Sequence, residues 1–167
     1  ARFSGSCGLD ISNQSWVESH AASDERYIAR FYVVPKVSGS GTVDLLVAYD
    51  GDDTSTASEL FKVSYDGTNY IFNVDGAAGS DITDKTVTAS SGWSMIEIDY
   101  DAAGDTFSFW VNETWDFDGE TYTTGPTDSF STALDGAVEA IQLGAPNGLV
   151  SQSGEFNFDA FESHRST

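Results

Sequence analysis

Leu60-Phe61-Lys62-Val63-Ser64-Tyr65-Asp66-Gly67-Thr68-Asn69-Tyr70-Ile71-Phe72-Asn73-Val74 is the stretch that decides the architecture. Phe61, Val63 and Tyr65 fall on alternate positions going in, and Tyr70, Phe72 and Val74 alternate coming out. Successive side chains of an extended strand point to opposite faces, so each run presents one apolar face. Asp66-Gly67 between the runs is a two-residue hairpin signal, because such a turn needs positive φ at its central positions. The expectation is an antiparallel hairpin with Asp66 and Gly67 at its tip.

A second hairpin lies downstream. Ser94 to Tyr100 leads through Asp101-Ala102-Ala103-Gly104-Asp105 into Thr106 to Asn112, setting Ile96, Ile98 and Tyr100 opposite Phe107, Phe109 and Val111. The same period predicts strands over 8–12, 27–34, 43–49, 138–143 and 156–162, and a weaker one over 83–89. The intervening segments 38–41, 50–58, 75–84, 113–128 and 145–154 are rich in Gly, Ser, Asp and Thr and are expected to be loops. Residues 133–141 have helix-like apolar spacing, but Gly136, Gly144 and Pro146 favour a turn entering a strand. About eight to ten short strands without crossover helices predict an all-β, two-sheet antiparallel sandwich.

At 167 residues the chain has the length of one domain, expected to span 1–167. Seven basic residues stand against 27 acidic ones, a formal charge of −20. That balance repels polyanions, so neither nucleic acid nor an anionic bilayer is an expected partner. At 40% hydrophobic and 13% aromatic the chain carries enough apolar surface to fold. No apolar run approaches the roughly 20 residues that span a bilayer, so membrane insertion is not expected. Cys7 is the one cysteine, which leaves no intrachain disulfide. It is either a small core residue or half of an interchain bridge.

Gly8-Leu9 near the start, Tyr27-Ile28-Ala29-Arg30-Phe31-Tyr32, and Trp93-Ser94-Met95-Ile96-Glu97-Ile98 follow one another in a suggestive order. Ile141-Gln142-Leu143-Gly144 comes next, and then Gly154-Glu155-Phe156-Asn157-Phe158-Asp159-Ala160-Phe161-Glu162-Ser163. In order and spacing these pieces resemble the concanavalin A-like lectin/glucanase superfamily, above all the laminin-G-like jelly-roll modules of secreted bacterial proteins. The resemblance covers nearly the whole chain and implies a jelly-roll topology with a secreted or cell-surface location. That superfamily contains glycosidases, lectins and adhesive or structural domains, so fold does not decide function.

Glu97, Asp99 and Asp101 alternate on one predicted strand and resemble the Glu-x-Asp-x-x-Glu signature of laminarinase-like glycosidases, without its final Glu. A retaining mechanism needs two carboxyls about 5 Å apart. The plainer reading makes all three the solvent face of a strand whose other face carries Ile96, Ile98 and Tyr100. His20 and His164 sit in no nucleophile or zinc pattern. The expectation is therefore a protein that is not an enzyme, with a degenerate glycoside hydrolase as an alternative.

Two loops carry binding expectations. Asp50, Asp52 and Asp53 offer clustered oxygen ligands for Ca²⁺ after the 43–49 strand, against the alternative of a simple acidic turn. Trp115, Asp116, Phe117, Asp118, Glu120 and Tyr122 mix aromatic rings with carboxylates. Rings stack on the C–H face of a pyranose while carboxylates accept from its hydroxyls, so this segment is the candidate glycan site. The plainer account tucks its rings over the end of the sandwich. The functional expectation is a non-catalytic extracellular binding or adhesion module that recognises glycan or a partner surface through its rim loops, the glycan version assisted by Ca²⁺. The alternative partner is other copies of the chain, in a self-assembling filament or surface layer.

Overall fold

A computed structural model of the protein describes residues 9–76, 82–112, 125–134, 136–149 and 152–165. These form two antiparallel sheets and contain no helix. Sheet A has the order β1 (Leu9–Ile11), β12 (Gln152–Arg165), β3 (Arg26–Gly39), β8 (Ser94–Asp101), β9 (Thr106–Val111), β10 (Asp128–Ser131). Sheet B has the order β2 (Ser15–Asp24), β11 (Val138–Ala145), β4 (Val43–Tyr49), β5 (Glu59–Tyr65), β6 (Asn69–Val74), β7 (Lys85–Thr88). This is a two-sheet antiparallel sandwich, as the period-2 pattern predicts, with the jelly-roll topology that the resemblance implies.

The decisive hairpin forms with Tyr65 opposite Tyr70 and Phe61 opposite Val74. Its tip sits one residue later than expected. Gly67 takes positive φ (99°), whereas Asp66 does not and instead accepts hydrogen bonds on its carboxylate from the Thr68 and Asn69 N–H groups. Those donors, Asn69 first, hold the Asp66 carboxyl below its usual range. The second hairpin has the expected register, with Ile98 opposite Phe109 and Tyr100 opposite Phe107. Gly136 turns at φ 82° just ahead of β11, so residues 138–141 lie in a strand rather than a helix.

Phe72 of sheet B stacks on Phe109 of sheet A, with centroids 3.7 Å apart and planes 4° from parallel. Phe61 meets both Tyr100 and Phe107, and Tyr65 meets Phe156 edge-on. Burying each such ring stabilises the fold by about 1.5–3 kcal/mol. The inward residues of both sheets form one contiguous cluster.

Two strands escaped the sequence reading. Ser-Trp-Val-Glu-Ser-His-Ala-Ala-Ser-Asp of β2 lacks a sustained alternation, and β10 is only four residues long. Their hydrogen bonds to β11 and β9 define them, not their own composition.

Candidate functional site

The closing pattern Phe158-Asp159-Ala160-Phe161 has its physical reason in β12. A strict period of 2 would send Phe158 and Phe161 to opposite faces, yet both are in the core. The strand slips register between Asp159 and Glu162, with Ala160 at φ 48°. This β-bulge restores Phe161 to the inside and aims Glu162 outward, opposite Arg30 of β3. The Arg30 Nη2 donates to Glu162 Oε2 at 2.6 Å.

One row therefore crosses the outer face of sheet A: Glu162 on β12, Arg30 on β3, Glu97 on β8 and Trp110 on β9, each directly opposite the next. Glu97 is 0% exposed, and neither of its carboxyl oxygens has a hydrogen-bond partner among the described residues. Burial pushes its pKa up to about 8; Arg30 pulls it down and Asp99 adds to the rise. At neutral pH Glu97 is thus mainly a protonated, neutral carboxylic acid.

Asp99, next along this face, is 7% exposed. Arg26 grips it bidentately, Nε to Oδ1 at 3.1 Å and Nη2 to Oδ2 at 2.8 Å. The plainer expectation for Glu97 and Asp99 is thereby corrected, because neither lies on a solvent-washed face. The alternation predicts which side they take; of what flanks them there, Trp110 comes from the other arm of the same hairpin, and Arg26 and Arg30 from β3, far away in sequence. Asp101, at the strand end, accepts the Gly104 N–H in the hairpin loop.

Trp93, 51% exposed, lies in the turn immediately before β8. Asn112, just after β9, exchanges hydrogen bonds with Met95 at this end of the sheet. The chain enters the stretch 113–124 from that point. Trp115, Asp116, Phe117, Asp118, Glu120 and Tyr122 lie outside the described residues, as does Cys7. The outer-face residues Arg26, Arg30, Glu162 and Trp110, and Trp93 ahead of β8, were missed in the sequence. The one signal that could have found Glu162 is the Phe-Asp-x-Phe spacing, which demands a bulge.

Asp50, Asp52 and Asp53 occupy the 50–58 loop, which folds over the outer face of sheet B. Asp50 Oδ1 accepts the Ser58 N–H at 2.7 Å, and Asp53 Oδ1 accepts both the N–H and the hydroxyl of Ser55. The Ser55 bonds hold the Asp53 carboxyl below its usual range. Among the described residues no group of three or more His, Cys, Asp or Glu side chains gathers as a metal site. Beneath the loop, Ala57 packs on Val47, Tyr49 and Ala140. The Tyr49 hydroxyl donates to Gln142 Oε1, and the Gln142 amide donates to Glu18 and Thr54. Burial first, then Glu59, Asp44 and Glu18, push the Tyr49 hydroxyl up to about 12.

No family model matches the sequence, and no curated protein matches it. Solved structures do. The chain is similar to an endo-β-1,4-glucuronan lyase from the fungus Trichoderma reesei, at 11% identity, over 98% of this chain and 83% of that one, with a TM-score of 0.60. It is similar to the CBM40 of a Ruminococcus gnavus IT-sialidase bound to α2,3-sialyllactose, at 12% identity, over 96% and 90%, with a TM-score of 0.56. A third likeness is to the binding domain of Paraclostridial Mosquitocidal Protein 1, at 13% identity and a TM-score of 0.62, where the chain spans 40% of that structure. At such identities the likeness is one of fold, and it is consistent with a concanavalin A-like sandwich. Among the described residues no helix is long and apolar enough to cross a membrane.

Proposed function

We propose that the protein is a non-catalytic, extracellular glycan-binding module whose binding surface is the solvent-accessible part of the outer face of sheet A, with Glu97 and Asp99 buried beneath it. The observation that carries this is a half-exposed aromatic, Trp93, immediately ahead of the strand that begins at Ser94 and carries a strip of hydrogen-bonding groups on its outer face. Tyr32 and Asp159 lie on that strip as cross-strand partners, and Arg30 with Glu162 continues it. A ring stacks on a sugar while such groups bond its hydroxyls. The fold-level likeness to a sialidase CBM40 and to a toxin binding domain supports the reading. A laminin-G-like affiliation and a secreted location belong to the same proposal.

Hydrolysis by Glu97 and Asp99 has less support. Glu97 is shielded from a substrate, and both Asp99 oxygens are engaged by Arg26. The test is a glycan panel followed by calorimetry, with and without Ca²⁺. Trp93→Ala is expected to weaken the interaction about three- to tenfold, the worth of one aromatic contact. A flat response of the wild type across the panel would remove the proposal.

A second reading, self-association, is favoured by β2. This 10-residue strand is an edge of sheet B among the described residues, and its Trp16 is 43% exposed. Open edges of that length invite strand pairing with another copy. Sedimentation across ionic strength decides it, since a monomer under all conditions contradicts the reading.

A further inference from the structure

Every lysine and arginine whose side chain is described is already in an ion pair. Arg26 holds Asp99 at 2.8 Å, Arg30 holds Glu162 at 2.6 Å, Lys36 holds Glu155 at 3.1 Å, Lys62 holds Glu59 at 3.1 Å, and Lys85 holds Asp128 at 2.6 Å. On the outer face of sheet A both guanidiniums are committed, one of them bidentately. The third central carboxyl, Glu97, is buried and has no hydrogen-bond partner among the described residues.

From this we infer that the outer face of sheet A selects an uncharged glycan and discriminates against carboxylated or sulfated ones. The inference rests on the glycan-binding reading above and names the ligand class of that site. A carboxylated sugar recruits arginine, and here recruitment means displacing Asp99 or Glu162 from its partner. Asp99 is almost fully buried, and a desolvated carboxylate deprived of its counterion costs more than a new surface contact returns. The chain's charge of −20 adds long-range repulsion of any anionic polymer.

Cationic sugars gain little specifically, because the carboxylates at the centre of the face are neutralised by protonation or by arginine. Asp159 accepts the Ala160 N–H, and Asp10 accepts the Asn157 amide. What the strip offers without disturbing any ion pair is hydrogen bonding to hydroxyls and the Trp93 ring. Both suit a neutral pyranose.

The experiment is calorimetry of the whole chain against three matched sets at low and high ionic strength: neutral gluco- and manno-oligosaccharides, oligoglucuronates, and amino-bearing glucosamine oligomers. Neutral sugars are expected to bind at least about tenfold more tightly than oligoglucuronates, ~1.4 kcal/mol, with little dependence on salt. Glu162→Gln removes the carboxylate that holds Arg30, so the ratio of oligoglucuronate to neutral affinity should rise about fivefold or more.

Oligoglucuronate binding as tight as neutral binding in the wild type overturns the inference while leaving glycan binding in place. So does glucosamine-oligomer binding that exceeds neutral binding and survives high salt. A folded Glu162→Gln variant with an unchanged ratio likewise counts against it. Should Glu162→Gln fail to fold, the wild-type ratio alone still decides. Absence of binding to all three sets removes the glycan-binding reading and the ligand class with it.

Discussion

The two outer faces of the sandwich are built from similar residues and finished in opposite ways. On sheet B a loop closes over the strands, and Tyr49, Gln142, Thr54 and Glu18 satisfy one another in a connected network. On sheet A a carboxyl is buried without a hydrogen-bond partner among the described residues, two arginines are held by acids from neighbouring strands, and a tryptophan ahead of β8 stands half in solvent. A satisfied polar network stabilises and specifies packing, whereas an unsatisfied buried acid is a cost kept for another reason. That difference is the reason the proposed ligand surface is placed on sheet A rather than on sheet B.

The largest effect that separates the faces is pH. In the unfolded chain Glu97 ionises at its ordinary 4.5, whereas in the fold it keeps its proton up to about 8. Its contribution to stability is complete below pH 4.5 and is lost as pH rises to about 8, beyond which nothing further is lost. Glu97→Gln has no such term. Urea unfolding of both forms at several pH values is expected to show the wild type falling about 3–5 kcal/mol behind the variant across that window. Parallel curves would mean that Glu97 is hydrated in solution.

Next in size is Arg26→Ala, expected to destabilise by about 3 kcal/mol because it takes the bidentate partner from a nearly buried carboxylate. Replacing both members, Arg26→Met with Asp99→Leu, should recover most of that loss in the same unfolding assay. On sheet B, Gln142→Leu breaks the network at its centre and is expected to cost about 1–3 kcal/mol, read from the denaturation midpoint. It should leave glycan affinity unaltered, which sharpens the contrast between faces. The smallest change is Trp93→Ala, expected to move stability by no more than about 0.5 kcal/mol while lowering binding. A large loss of stability there would show that Trp93 packs rather than presents.

Most of the sandwich was legible because its signal is local. Phe61 to Val74 and Ile96 to Val111 state their faces by alternation alone, and the structure pairs them in that register. The tip at Gly67 was one residue off because the Asp66 side chain takes hydrogen bonds that composition does not announce. β2 was illegible since its strand character comes from pairing with β11. The acidic loop 50–58 was visible as a loop, but its packing over sheet B was not, because Val47, Tyr49 and Ala140 are brought beneath Ala57 only by the fold.

By itself the sequence determined the period-2 burial, the turn positions to within about a residue and the strongly negative charge, because each depends on residues within a few positions or on a simple sum. Only the tertiary structure decided that Glu97 is a buried neutral acid rather than a solvent-facing one. Its environment is made by Arg30 and Trp110 on flanking strands, and by a bulge at Ala160 that sets Glu162 against Arg30. Desolvation and charge pairing depend on distance in space, and distance along the chain does not report it.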